Sequence, residues 1–497
     1  QYIIDHFAST DTVRRKGTTP SPWRISVSSI NLVNTHFLLH DENEEPVPAG
    51  MDYTNIDVSG INLEVTDFAF AGDTLYGNIR HLAARERSGF NLHDLSGEFR
   101  VSPKYLKARH LKILTDHSDL DLEFDFLYDR WQAYNDFLNK VTIRADIEPS
   151  YLDLRDIGFF APELAVMKDR FRLSGNIKGT VSNFKARELR FAFGQNTFFY
   201  GNVSATGLPD VEETFIDLNV KAMTTNKVDI ESLLIPGEMR HLELPGLLAN
   251  IGIVAIKGNF TGFYNDFVAN ARVGTDLGSL STDLTLTREK GQPLLGYKGQ
   301  LDVQSFDIGR LTGNSPFLGI LSMRGEITGK GLSLENAGLS MNLHVDSLFL
   351  NRYNYQNLNV EGSLAGKEFK GKFDIADPCL NMDFNGLIDM KDSLPMFDFT
   401  AGIHHADLFR LNLLKRDSVN QLAARIKVGF RGTGLDNIDG AVHIDNLEYI
   451  EGKKTVTMDQ FVLLTRQDTA TGKSYHMQSD YVDADITGAF SFKSLIP

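Results

Sequence analysis

Apolar and polar residues alternate with a period of two along most of this chain, and that pattern leaves few ways to fold it. Between Lys367 and Met390, Phe369, Phe373 and Ile375 and then Leu380, Met382 and Phe384 share one face of two strands, while Lys, Asp and Asn point the other way. The Asp377-Pro378 step marks the turn between them. The same alternation runs from Trp23 to Asp129, as in Ile61, Leu63 and Val65 or Leu120, Leu122, Phe124 and Phe126. Only a few pieces read as helical, notably Arg130 to Lys140 and Asp407 to Lys415. A sheet with one apolar face must hide it, by closing into a barrel, packing on a second sheet or curling around a foreign apolar ligand.

The strands come in series. Within Phe306 to Thr328, an apolar-Asp-apolar frame with a further apolar residue three positions on (Phe306-Asp307-Ile308, then Leu311) precedes an apolar-basic-Gly step, Met323-Arg324-Gly325. The first half recurs around Asp153, Asp229 and Asp407, and the second at Ile177-Lys178-Gly179, Ile256-Lys257-Gly258 and Phe430-Arg431-Gly432. Asp before a short apolar spacing fits a helix N-cap, so the spacing predicts four short helical turns, each followed by new strands. Copies lie roughly 70 to 110 residues apart, which means serial construction without a tight solenoid period. Cutting at these turns divides the chain into 1–140, 141–235, 236–313, 314–415 and 416–497, with no Pro/Ser/Gly-rich linker between them.

Composition narrows the function. At 42% hydrophobic and 23% charged, the chain is a folded protein, and its net charge of −15 leaves no basic stripe for nucleic acid or for anionic membrane surfaces. The single cysteine, Cys379, excludes an intramolecular disulfide and reads as a small buried hydrophobe. No motif for a nucleophile elbow, P-loop, zinc protease or dinucleotide fold is present, so no catalytic residue, metal or cofactor is expected, and the chain is not read as an enzyme. His36 and His40 with the acids after them read as a solvated loop, and Asp119, Asp121, Glu123 and Asp125 as one wet strand face. His404 and His405 would face opposite sides of a strand. With 34 Phe against 15 Tyr and 2 Trp, the aromatic surface suits hydrocarbon better than sugar or nucleotide.

Several stretches resemble the TamB group of the AsmA-like family: WRISVSSINLVNTHFLLHDEN, RERSGFNLHDLSGEF, DLRDIGFFAPEL, FRLSGNIKGTVSNF, FGQNTFFYGNVSATGLPD and FKGKFDIADPCLNMDFNGLIDM. The resemblance implies an all-β fold, a long parallel-running sheet curled into an elongated U-shaped trough (a β-taco), built from serial repeats with short helical turns between them. Its first segment, 1–140, would be the amino-terminal AsmA-like repeat and the other four would be groove repeats. The resemblance further implies a periplasmic location, anchored to the inner membrane through parts outside this segment. The chain begins at Gln1 and stops at Pro497 just after GAFSF, which fits a piece of something longer. It implies phospholipid acyl chains as cargo and an Omp85-type outer-membrane barrel protein as a partner, with no catalytic residue.

The expected groove lining is Met341, Leu343 and Val345; Phe369, Phe373 and Ile375; Leu380, Met382 and Phe384; Phe397 and Phe399; and Val442 and Ile444. Two other functions fit the same stripes: an assembly factor for outer-membrane or secreted β-proteins that adds strands at its sheet edge, and a structural stalk whose apolar faces are packed internally. The strand near Asp485 to Phe492 would be such an edge.

Overall fold

Two-residue turns such as Asn351-Arg352 and Pro378-Cys379 join many of the strands, and a turn that short can only send the chain back antiparallel. The computed structural model describes residues 24–41, 43, 47, 50–160, 167, 169–210, 212–234, 240–263, 265–288, 296–313, 315–331, 338–414, 419–468, 472–489 and 491. They form two units, the first ending at Ala192 and the second beginning at Phe193. The fold is all-β, as the alternation predicts, but every resolved pairing is antiparallel rather than parallel.

In the first unit β1 (Arg24–His40), β2 (Asn55–Ala71), β3 (Thr74–Glu86), β4 (Asn91–Ser102), β5 (Tyr105–Thr115), β6 (Asp119–Leu127), β7 (Thr142–Asp153), β8 (Arg170–Thr180) and β9 (Asn183–Phe193) pair in sequence order. The Arg130 to Lys140 segment forms a 3-10 turn and one helical turn, Phe137–Lys140, whose Ala133 and Phe137 pack with Tyr128 and Val141 against Leu106 and Phe126.

The second unit is itself a meander, with β10 (Thr197–Thr206), β11 (Phe215–Thr225), β12 (Val254–Phe263), β13 (Asp266–Thr275), β14 (Gly278–Thr287), β15 (Gly296–Asp307), β16 (Leu318–Lys330), β17 (Gly338–Leu350) and β18 (Tyr353–Ala365). There follow β19 (Glu368–Asp377), β20 (Leu380–Asp389), β21 (Met396–Asp407), β22 (Asn420–Arg431), β23 (Asp439–Glu451), β24 (Lys454–Asp468), β25 (Gly472–Ser479) and β26 (Asp483–Gly488). Strands touch their sequence neighbours and the sheet stays open: among the described residues β26 pairs only with β25. Phe490 and Phe492, at the end of the expected edge strand, lie outside the described residues.

The repeated frame is visible as structure. Helical turns stand at Leu154–Phe160, Lys227–Ser232 and Ile308–Leu311, each followed by the strand that carries the apolar-basic-Gly step. The Asp307 carboxylate accepts from Arg310 N at 2.9 Å and Asp407 from Arg410 N at 3.0 Å, while Asp153 accepts from Arg155 N at 3.0 Å. After Asp407 the chain makes hydrogen-bonded turns and not a helix, and Lys415 lies outside the described residues. Asp229 departs from the expected cap. Asn226 caps that helix, accepting from Asp229 N at 2.8 Å, because it stands where the extended chain enters the turn. Burial would raise the Asp229 carboxyl, yet donors at Asn196 N (2.7 Å), Gln195 N and Thr197 Oγ1 (3.0 Å) hold it below the usual carboxylate range. Its anion therefore fastens the helix to the β10 entry turn.

Glycine sets how closely these strands approach. Gly325 has φ +154°, and a Cβ built there would lie 2.1 Å from Asn342 O on β17. Gly274 on β13 has nothing within 4 Å of such an atom. Gly325→Ala is expected to lower the unfolding free energy by about 1–3 kcal/mol, and Gly274→Ala to leave it unchanged or slightly raised, in denaturant titrations of each variant.

Candidate functional site

Register turns the alternating residues of the second unit into two continuous rows. One row runs Val203, Leu218, Phe260, Ala269, Leu284, Gly299, Ile327, Met341 and Gly362, each residue directly opposite the next on the neighbouring strand. It goes on through Gly371, Gly386, Phe399, Val428, Val442, Leu463, Met477 and Ala484. Every member, from β10 to β26, is apolar or glycine. The row one residue over, on the other face, runs Asn202, Asn219, Asn259, Asn270, Asp283, Gln300, Glu326, Asn342, Glu361, Lys372, Asn385, Thr400, Lys427 and His443, polar from β10 to β23, before Val462 interrupts it on β24. The sheet thus has one hydrocarbon face and one wet face, as a period of two requires.

The expected lining residues lie on the hydrocarbon face. Met341, Phe399 and Val442 stand in the first row, and Leu343, Phe373, Phe384 and Ile444 in a parallel one that also holds Val360, Ala401 and Ile426. Phe397 pairs with Ile388 and Phe430, and Ile375 with Leu358 and Met382. Phe373 stacks on Phe384 with centroids 4.6 Å apart, and Phe384 leans on Phe399 at 5.0 Å, so a ladder of rings crosses three strands. Of the expected set only Val345, Ile375 and Phe384 are buried; the others are half-buried. Among the described residues each strand here pairs only with its sequence neighbours, and most of the face is half-buried, not buried.

A hollow of about 420 Å³ opens in this face, lined by Phe369, Phe373, Ile375 and Met382 together with Leu348, Leu350, Tyr355, Leu358 and Val360. Of these, Leu348, Leu350 and Tyr355 escape the alternation rule. Val345 faces Met323 and Leu348 faces Leu321, two steps on one strand against three on the other, so Asp346 is a bulge that switches the parity of β17. On β18 the same switch falls at Asn357, whose positive φ of 52° is the one local sign of it. Toward the hairpin, Leu380 leaves the open face and packs with Cys379, Ala406 and Leu411, the last only 1% exposed; Tyr353, Tyr355 and Leu408 cover this cluster. It closes one end of the hollow. Tyr353 donates to Asp377 Oδ1 at 2.5 Å, and Asp377 also accepts from Gln356 N (3.0 Å) and Cys379 N (2.8 Å). Burial, reinforced by the Asp377 charge, pushes the Tyr355 hydroxyl up from its ordinary pKa, so it stays a neutral donor.

The other sequence candidates are solvated pairs. His36 and His40 lie on β1 and not in a loop, with His36 Nε2 2.7 Å from Asp57 Oδ1. His404 is exposed beside Asp383 at 2.8 Å. The β6 acids meet β5 cations, Asp125 with Arg109 (2.6 Å) and Asp121 with Lys112 (3.6 Å), on one face as expected. No group of three or more metal-ligating side chains exists among the described residues. A second hollow, about 840 Å³, lies against the wet face between β13 and β17, where Arg272, Asp283, Asp302, Arg324 and Glu326 mix charges in water. No helix among the described residues is long and apolar enough to cross a membrane. The chain matches no known family model, no curated protein and no solved structure.

A charge at Phe384, 5% exposed inside the ring ladder, is expected to destabilise the second unit by several kcal/mol, because an unpaired ion would be buried. The same charge at half-buried Ile444 should cost far less. Melting curves of Phe384→Glu and Ile444→Glu check this; equal, large losses would mean the whole face is a dry core.

Proposed function

We propose that the hydrocarbon face of the second unit holds phospholipid acyl chains, and that this chain is a lipid-conducting bridge segment of the periplasm in the manner of the AsmA-like family it resembles. The observation that carries this is the unbroken apolar row from Val203 to Ala484, backed by a polar row from β10 to β23 and half-buried over most of its length. Hydrocarbon transferred from water to such a face gains about 0.8 kcal/mol per methylene, while its identical chemistry from strand to strand gives no site so deep that the lipid is trapped. No proton transfer or bond chemistry is asked of any residue, in keeping with a conduit and not an enzyme. The wet face carries the solubility.

A second function draws on the open edges. Among the described residues β1 pairs only with β2, and Ile25, Val33, Phe37 and Leu38 on it are exposed, as a strand-accepting assembly factor working with an Omp85-type barrel protein would need. An internally packed stalk has less support, since the described residues form only two small clusters of buried side chains. Photo-crosslinkable residues at Leu343 and Met382 separate these. The conduit gives adducts to phospholipid acyl chains at both positions; adducts only to side chains of the same protein would refute it.

A further inference from the structure

The hollow between β17 and β20 is apolar along its length and has one polar handle. Its volume of about 420 Å³ is of the order of one long acyl chain. Tyr355 stands at the end of the hollow closed by Cys379 and Leu411. Unlike Tyr353, whose hydroxyl is taken by Asp377, the Tyr355 hydroxyl has no hydrogen-bond partner among the described residues. Tyr355 is half-buried, so its hydroxyl meets water in the empty hollow; an acyl chain laid over it removes that water, and a ligand that brings an acceptor replaces it.

We propose that this hollow is a seat for one acyl chain of a diacyl phospholipid, whose ester carbonyl accepts a hydrogen bond from the Tyr355 hydroxyl. The inference rests on the conduit function above and adds a preferred resting place to it. The choice of an ester over a free fatty acid follows from charge. The fixed charge at this end is Asp377, held between Tyr353, Gln356 and Cys379, and it would repel a carboxylate but not a neutral ester.

The test uses the full chain with a photo-crosslinker at Met382, inside the hollow, or at Ile426, outside it, and vesicles holding equal amounts of a diester phosphatidylcholine and its diether analogue. At Met382 the diester should be captured roughly fivefold more than the diether, the size of one neutral hydrogen bond, and Tyr355→Phe should bring the ratio to one. At Ile426 the ratio should be near one in both proteins. A preference that survives Tyr355→Phe, or no preference at Met382 while Ile426 captures lipid, overturns this seat and leaves the conduit standing. So does palmitic acid added at the same concentration displacing the diester from Met382. Absence of lipid adducts at both positions overturns the conduit itself.

Discussion

Everything in the second unit depends on strand register. Because side chains alternate with a period of two, one slipped residue on any strand would carry its apolar set to the wet face and break both rows. The register shifts that do occur are gathered on one side of the rows. They fall at Tyr200/Gly201, Val220/Met223, Val303/Phe306, Leu318/Leu321, Ser322/Met323, Asn381/Met382, Ile403/Ala406 and Ala423/Arg425, on the side of the rows where the helical turns stand. Bulges add local twist, so that rim bends while the rows stay aligned. The Asp-led turns sit where the strands have already been re-aimed.

The apolar face is stabilised by neighbours within the same layer. Cross-strand pairs such as Phe373 with Phe384 and Val428 with Val442 each contribute about 0.2–1 kcal/mol, and glycines at 362, 371 and 386 make room for the rings beside them. A Cβ at Gly362 would already come 3.1 Å from Phe369 Cε2. The result is a face that leaves most of its side chains half-buried, in contact with whatever lies over it. An internal core would have hidden them. A channel surface has to leave them reachable.

Much of this was legible in the sequence. The alternation gave the all-β class, the shared face of Phe369, Phe373, Met382 and Phe384, the turn at Asp377-Pro378 and the repeated Asp frame, because each depends on residues close together in the chain. What was hidden depends on residues far apart. The bulge at Asp346 has no marker of its own, and it moved Leu348 and Leu350 onto the hydrocarbon face, as the switch at Asn357 moved Tyr355. Asp229 satisfies its carboxylate with backbone groups more than thirty positions earlier, at Gln195 and Asn196, so its spacing resembled a cap that Asn226 provides. The parallel order implied by family resemblance failed against turns too short to make a crossover.

The central claim is that this face carries hydrocarbon, and the most direct measurement is the phospholipid content of the chain purified from membranes without detergent. Extracted lipid quantified per chain should show bound phospholipid, retained through gel filtration and reduced when a charge is placed at Ile444. Protein that is folded, monodisperse and free of lipid under those conditions would contradict the account.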